Sequence, residues 1–187
     1  LMEFNEEQFL ELQTYSIKQG LFFTASGWDF PSVDFLAHIN VPFLKVASAD
    51  LTNLPLLTHI ARKQVPVFLS TGMADMNQVR LAFDTISSIN PNIALLQCTS
   101  SYPAPLDQVH LNVLHQYREQ FPETVLGYSG HELGIEVCLA AVAMGANIIE
   151  KHLTLNKMAK GTDHSAALDP KELEQLVKDE KPEAPPD

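Results

Sequence analysis

The chain has 187 residues, a hydrophobic content of 45% and a formal net charge of −11 at pH 7. This size suits one domain with a sizeable core, and the acidity argues against nucleic-acid binding because no basic stripe offsets phosphate repulsion. No apolar run reaches the roughly 18 residues of a membrane span and no signal peptide is visible, so we expect a cytoplasmic protein without membrane partners.

The cysteines and the first residues add two expectations. Cys98 and Cys138 lie in apolar surroundings, which indicates buried thiols in a reducing compartment rather than a disulfide. The segment 1–20 begins with Leu1 and predicts a helix with no strand before it. We therefore expect the sequence to start partway through a larger protein.

Short apolar runs alternate with helical patterns along the chain. Most intervals between the runs carry apolar residues at helical spacing, as does the segment 169–180 that follows the last run. Strands alternating with helices predict βα units and a parallel sheet. The six runs occupy 21–26, 42–48, 66–72, 93–100, 124–129 and 147–155.

The ends of these runs help to choose between two parallel architectures. Every run ends in small or polar residues, which suits one site ringed by the βα loops of a TIM-type (β/α)8 barrel. A doubly wound open sheet would concentrate such residues at one switch point, and no dinucleotide or P-loop glycine pattern is present. We therefore predict an α/β barrel. Because a barrel needs eight strands, we expect two βα units to be missing from its N-terminal side.

Two histidines stand at the ends of consecutive predicted strands. His131 lies in the break after the run 124–129, and His152 lies near the end of the run 147–155. A lone histidine is more often an ordinary polar residue near the surface. Neighbouring strands are about 4.8 Å apart, however, so the two side chains can converge on one divalent metal ion.

Hydroxyl groups and one lysine suggest an anion site. Serines follow four of the runs, at Ser48, Ser70, Ser100 and Ser129, and such groups can bind a phosphate or carboxylate, although serine is common at strand ends and helix starts anyway. Lys45 interrupts an apolar run and needs an anion. Either Glu150 or a ligand could supply that anion, and a Schiff base is the alternative role.

Two loops are predicted to overhang the site. The Gly-led loop 161–170 carries Asp163 and leads to a helix that Asp169 caps, with Pro170 at its first position. The proline-rich loop 100–105 carries Tyr102 at its tip. Both loops could instead be ordinary connections, with Tyr102 simply packed in a turn.

Six motifs taken together resemble those of the sialic acid synthases, which condense phosphoenolpyruvate with an N-acetylmannosamine sugar. The resemblance extends from about residue 3 to 177. "QCTSSYP" and "GYSGHE" are more similar to the animal enzymes, which use the 6-phosphorylated sugar, because bacterial members usually carry Asp in place of Gly130. The motifs are KVASADLTNLPLL, FLSTGM, LLQCTSSYPAP, GYSGHELGIEV, IEKHLTL and GTDHSAALDP.

This resemblance implies a role for each candidate residue. His131 and His152 are expected to bind Mn²⁺ or Mg²⁺, Asp163 to lie near the sugar, and Asp50 to line the pocket. Lys45, Tyr102 and Asp163 are the expected catalytic residues. The residues expected around phosphoenolpyruvate are Thr24, Lys45, Ser48, Ser70, Ser100, Tyr102 and Ser129.

In the implied reaction, carbon 3 of phosphoenolpyruvate attacks the sugar aldehyde. Water then adds at carbon 2, and phosphate leaves by C–O cleavage. Small-molecule substrates are therefore the expected ligands, and a homodimer is the expected state of the full-length enzyme.

The chain departs from the family pattern at both ends. It matches the third to eighth strands of the family barrel, so we expect residues 1–178 to form a partial barrel and to be inactive alone. Residues 179–187 are expected to be a Pro- and acid-rich tail in place of the family's C-terminal antifreeze-like domain. Two alternatives stay open, an inactive truncated form that acts by dimerisation and a related phosphoenolpyruvate-condensing barrel with another acceptor sugar.

Overall fold

The computed structural model describes residues 4–179. The chain divides into two compact units, one comprising Leu1–Leu69 with Ala74–Ile93 and the other Ser70–Met73 with Ala94–Asp187. Within the described range, helices are too short or too polar for any of them to cross a membrane.

The first unit alternates helices with two short strands. Strand β1 (Leu44–Val46) pairs with β2 (Val67–Ser70) in parallel, from Leu44 opposite Val67 to Val46 opposite Leu69. Apolar residues of both strands and of the three helices after the first are buried, which gives this unit its core. Its elements are α1 (Glu6–Lys18), α2 (Phe30–His38), β1 (Leu44–Val46), a 3₁₀ helix (Ser48–Asp50), α3 (Leu54–Ala61), β2 (Val67–Ser70) and α4 (Met76–Ser87).

Polar side chains set the starts of these helices. Asn5 precedes α1 and accepts a hydrogen bond from the backbone N–H of Gln8, whose side chain accepts one from the backbone N–H of Asn5. Asp75 and Gln78 form the same reciprocal pair at the start of α4. Each pair satisfies N–H groups that the first helical turn cannot bond internally, so these helix starts are encoded locally.

The predicted strand at 21–26 does not form. Ser26 makes a single parallel bridge with Lys45, while Leu21 and Phe22 are 63% and 85% exposed. A strand is stabilised by a ladder of hydrogen bonds and by a buried face, and this run has one bridge and two exposed apolar side chains. The described residues thus hold five of the six predicted strands.

The second unit continues the alternation. Strand β3 (Ile93–Cys98) pairs with β4 (Val125–Gly130), and β4 pairs with β5 (Ile148–Lys151), both in parallel. All six residues of β3 are buried, as expected for a parallel strand covered on both faces. The elements are β3 (Ile93–Cys98), a 3₁₀ helix (Leu106–Gln108), α5 (Val113–Gln120), β4 (Val125–Gly130), α6 (Glu136–Ala143), β5 (Ile148–Lys151), α7 (Thr162–Ala166) and α8 (Pro170–Asp179).

The end of the second unit agrees with most of the local predictions. The carboxylate of Asp169 accepts hydrogen bonds from the N–H groups of Lys171 and Glu172 at 2.8 and 2.9 Å, and Pro170 is the first residue of α8. The segment expected to be a loop contains the short helix α7. Of the predicted tail, residue 179 ends α8 and residues 180–187 lie outside the described range. Cys98 and Cys138 are buried and form no disulfide, as predicted.

Candidate active site

The ends of β4 and β5 bring two histidines together. His131 follows the last residue of β4 and His152 follows the last residue of β5, and these last residues, Gly130 and Lys151, are paired in the parallel register. Both histidines therefore leave the sheet at the same level. Their ring centroids are 5.3 Å apart.

Hydrogen bonding fixes the tautomer of His131. Its Nδ1 lies 2.8 Å from the carbonyl oxygen of Thr99. A carbonyl oxygen only accepts hydrogen bonds, so Nδ1 carries the proton and Nε2 of the neutral ring keeps its lone pair. The Cys98 sulfur lies farther away, at 3.9 Å from Nδ1. A buried ring held in this way presents Nε2 as a ligand atom.

The two histidines differ in how readily they accept a proton. Burial lowers the pKa of His152, and neighbouring His131 lowers it further against the opposing charges of Asp163 and Glu150. Burial also acts to lower the pKa of His131, but hydrogen bonds to Cys98 and Thr99 outweigh it and the net direction is upward. The environment of His152 thus favours the neutral form that binds metals.

The arrangement fits a divalent ion held by two imidazoles. With metal–nitrogen bonds of about 2 Å, two rings on one ion have centroids within roughly 7 Å of each other, and the observed 5.3 Å lies inside that limit. No cluster of three or more His, Cys, Asp or Glu suited to a metal occurs among residues 4–179. The remaining coordination positions would be open to water or substrate oxygens, as in a catalytic site.

A small cavity adjoins the histidine pair. Its volume is about 60 Å³, room for an ion or one to two water molecules, since a water occupies about 30 Å³ of liquid. The lining residues are Ser129, Gly130, His131, Glu150, Lys151 and His152.

Tyr102 packs against both histidines from the loop after β3. Its ring centroid lies 4.1 Å from that of His131 and 6.0 Å from that of His152. Burial raises the pKa of Tyr102, and the charges of Cys98, Asp163 and Glu150 add to the effect. Tyr102 therefore stays a neutral hydrogen-bond donor near neutral pH, and Asp163 is near enough for its charge to act on Tyr102 and His152.

The predicted serines of the second unit also lie at strand ends. Ser70 and Ser129 are the last and next-to-last residues of β2 and β4, and both are buried. Ser100 follows β3 by two positions and is partly buried. The structure thus brings His131, His152 and Tyr102 into direct contact range and places these serines at the carboxyl ends of their strands.

The predicted site residues of the first unit have local partners. The hydroxyl of Thr24 donates to the carbonyl of Phe43 at 2.7 Å, and the ammonium of the partly buried Lys45 donates to the carbonyl of Val46 at 2.9 Å. Ser48 and Asp50 belong to the 3₁₀ helix that follows β1. The assignment of Thr24, Lys45 and Ser48 to phosphoenolpyruvate, and of Asp50 to the pocket lining, stays a prediction.

Sequence analysis missed a buried ion pair beside the histidines. Glu132 follows His131 and Lys151 precedes His152; their side chains are 0% and 3% exposed, and Lys151 Nζ lies 3.1 Å from Glu132 Oε1. The available signal was a charged residue directly beside each histidine, Glu132 after His131 and Lys151 before His152.

Parallel strands alternating with helices, with polar groups at the carboxyl ends of neighbouring strands, define an α/β protein of the TIM-barrel class. The chain belongs to the NeuB family, whose model matches residues 1–182. Both the family resemblance and the predicted fold class are thereby confirmed.

Individual relatives support the same placement. The human N-acetylneuraminate-9-phosphate synthase is 47% identical over 95% of this chain and 49% of its own length. The N,N'-diacetyllegionaminic acid synthase of Legionella pneumophila is 41% identical over 94% of the chain and 51% of its own length. The crystal structure of N-acetylneuraminic acid (sialic acid) synthetase from Leptospira borgpetersenii, in complex with citrate, matches with a TM-score of 0.91, 37% identity, 95% of this chain and 62% of that one.

The matches also show how much of each relative the chain covers. The chain spans about half the length of the curated relatives it matches. Those relatives are named for the synthesis of different acidic sugars, so the comparison indicates a sugar-acid synthase family without selecting one product.

Proposed function

We propose that this chain is part of the catalytic barrel of a synthase that joins phosphoenolpyruvate to N-acetylmannosamine 6-phosphate, giving a sialic acid 9-phosphate and inorganic phosphate. The pair His131 and His152, presented 5.3 Å apart by neighbouring parallel strands, carries the proposal. The 47% identity to a synthase named for the 9-phosphate product supports the phosphorylated acceptor.

His131 and His152 would hold a divalent ion, Mn²⁺ or Mg²⁺. When bound, such an ion supplies Lewis acidity toward the sugar aldehyde. The chain contributes the His131 ring, whose orientation is held by the Thr99 carbonyl. It also contributes a protonated Tyr102 that packs on that ring and shields it from water.

The other predicted residues bind and orient the substrates. Lys45 would supply positive charge for the phosphate or carboxylate of phosphoenolpyruvate, and the hydroxyls of Ser70, Ser100 and Ser129 would donate hydrogen bonds to its anionic oxygens. Asp163 would accept a hydrogen bond from the sugar. Carbon 3 of phosphoenolpyruvate then attacks the aldehyde carbon, water adds at carbon 2, and the carbon–oxygen bond to phosphate breaks.

An isotope experiment tests the reaction class. The protein, together with any sequence that flanks the chain in its gene, is incubated with Mn²⁺, N-acetylmannosamine 6-phosphate and phosphoenolpyruvate labelled with ¹⁸O in the bridging position. Cleavage of the C–O bond sends the label into inorganic phosphate. Label that stays in the sugar acid would contradict the mechanism.

An acceptor panel tests the substrate. The phosphorylated sugar, its unphosphorylated form and the acceptor of N,N'-diacetyllegionaminic acid synthases are compared under identical conditions. Highest kcat/KM with the phosphorylated sugar is expected. Preference for another acceptor would replace the proposed substrate, and metal binding without turnover of any acceptor would favour the non-catalytic alternative.

A further inference from the structure

The buried ion pair lies where the two histidine-bearing strands end. Besides its contact with the Glu132 carboxylate, Lys151 Nζ donates to the main-chain carbonyl of Glu132 at 2.6 Å. The last backbone pair of β4 and β5 is Gly130 with Lys151. The Lys151 side chain therefore links the two strands beyond their last backbone pair. This link lies where His131 and His152 follow the strands.

Other buried groups hold the carboxylate in place. The Tyr128 hydroxyl donates to Glu132 Oε2 at 2.6 Å, and the Cys138 thiol lies 3.7 Å from Oε1. The His131 carbonyl accepts a hydrogen bond from the N–H of Ala104 at 3.0 Å. The two peptide groups that follow His131 are thus held by hydrogen bonds, the first from Ala104 and the second from Lys151.

In this chain a side chain at Gly130 would collide with the Glu132 carboxylate unless neighbouring atoms moved. A Cβ atom at Gly130 would lie 2.6 Å from Cε1 of Tyr128 and 2.7 Å from Oε2 of Glu132. Such approaches force neighbouring atoms to move, and the atoms in question belong to a buried ring and a buried carboxylate. Gly130 and Glu132 therefore form one packed arrangement directly before and after His131.

Because the Glu132–Lys151 ion pair is buried, a contribution to folding stability alone is a weak explanation for it. Removing two charges from water is costly, and apolar residues of similar volume often stabilise a core as well or better. What a buried, fully hydrogen-bonded pair does provide is a defined geometry. Here the ion pair defines the geometry of the residues next to His131 and His152.

We propose that Glu132 and Lys151 form a positioning pair that sets the separation and orientation of the His131 and His152 rings for a shared divalent ion. Neither side chain need touch the substrate. The shared divalent ion in this inference rests on the proposed function. The effect of the pair on the His131 and His152 rings can be measured without metal or substrate.

The variant Glu132→Gln tests the pair because it removes the charge and keeps the shape. Glu174→Gln is the matched control, since Glu174 also pairs with a lysine, Lys178, but on the exposed surface of α8. Mn²⁺ affinity is measured by calorimetry, and folding is checked by circular dichroism. We expect Glu132→Gln to weaken Mn²⁺ binding by about 10- to 100-fold, the effect typical of groups that orient metal ligands, and Glu174→Gln to leave it unchanged.

Nitrogen-15 NMR of the metal-free protein, with any sequence that flanks the chain in its gene, provides the second readout. Glu132→Gln should shift the ring resonances of His131 and His152 and spare those of the exposed His115. Gly130→Ala should produce the same two shifts, because it displaces the same carboxylate. Unchanged ring resonances of both histidines in a folded Glu132→Gln variant would overturn the proposal, even if its thermal stability falls.

The two readouts also separate the inference from the proposed function. Absence of Mn²⁺ binding by the native protein, with clear histidine shifts in Glu132→Gln, would refute the metal site and uphold the positioning pair. Tight Mn²⁺ binding that Glu132→Gln leaves within about twofold would refute the pair and uphold the metal site.

Discussion

At the scale of single residues, the site depends on which nitrogen of each histidine is free. The Thr99 carbonyl determines this for His131 by accepting a hydrogen bond from Nδ1–H. Thr99 is the residue directly after β3, and β3 pairs with β4 in register. A carbonyl at the end of one strand thus orients the histidine at the end of the next, the kind of outer hydrogen bond that orients metal ligands in proteins.

Replacing His131 by alanine tests the central residue of the proposal. We expect the Mn²⁺ dissociation constant to rise more than about 100-fold, because losing a ligand should exceed the 10- to 100-fold cost of losing a group that only orients one. Calorimetry gives the value, and His115→Ala, an exposed histidine on α5, is the control. Equal affinity of native and His131→Ala proteins would remove His131 from the site.

At the scale of elements, the start of α8 is tied to the segment after β5. Lys157 donates a hydrogen bond to the carboxylate of Glu172, which also accepts one from the N–H of Asp169 at 2.8 Å. The Lys157 contact first and the Asp169 hydrogen bond second hold the pKa of Glu172 below its ordinary value of 4.5. The contact between Lys157 and Glu172 therefore joins the two ends of the segment that carries Asp163.

The lowered pKa predicts a pH dependence of stability. A carboxylate with a depressed folded-state pKa stabilises the fold above its unfolded pKa and loses that contribution as the pH falls through the folded value. The native melting temperature should therefore fall more steeply below about pH 4.5 than that of Glu172→Gln. Lys157→Met should show the same flattening, because it removes the first cause of the shift. Parallel curves for native and Glu172→Gln proteins from pH 6 to 3 would contradict this assignment.

Element boundaries show how far the sequence alone could predict this fold. The start of α8 is encoded by Asp169 and Pro170, neighbours whose hydrogen bonds are local, and the prediction was confirmed. The prediction of a strand at 21–26 was wrong, because a strand depends on hydrogen bonds to partners distant in sequence that no local pattern reveals. Glu132 and Lys151 were missed for a similar reason, since their pairing follows from the register between β4 and β5.

At the scale of the whole molecule, exposed apolar side chains predict how the isolated chain behaves. Leu21 and Phe22 are exposed and lie in the run 21–26. Its described backbone pairing is a single bridge from Ser26 to Lys45. Extended segments with free apolar side chains are templates for association. We therefore expect residues 1–187, expressed alone, to self-associate at micromolar concentration.

The variant Phe22→Ser tests whether this run drives the association. Burying one large apolar side chain contributes about 2 kcal/mol, so its loss should raise the dissociation constant roughly 30-fold. Sedimentation velocity over a concentration series measures the change. Leu81→Ser is the control, because Leu81 is a comparably exposed apolar residue, 54% against 85% for Phe22, on α4 of the same unit. A native chain that sediments as a monomer throughout the series, or an equal effect of Leu81→Ser, would show that the run 21–26 is not the associating surface.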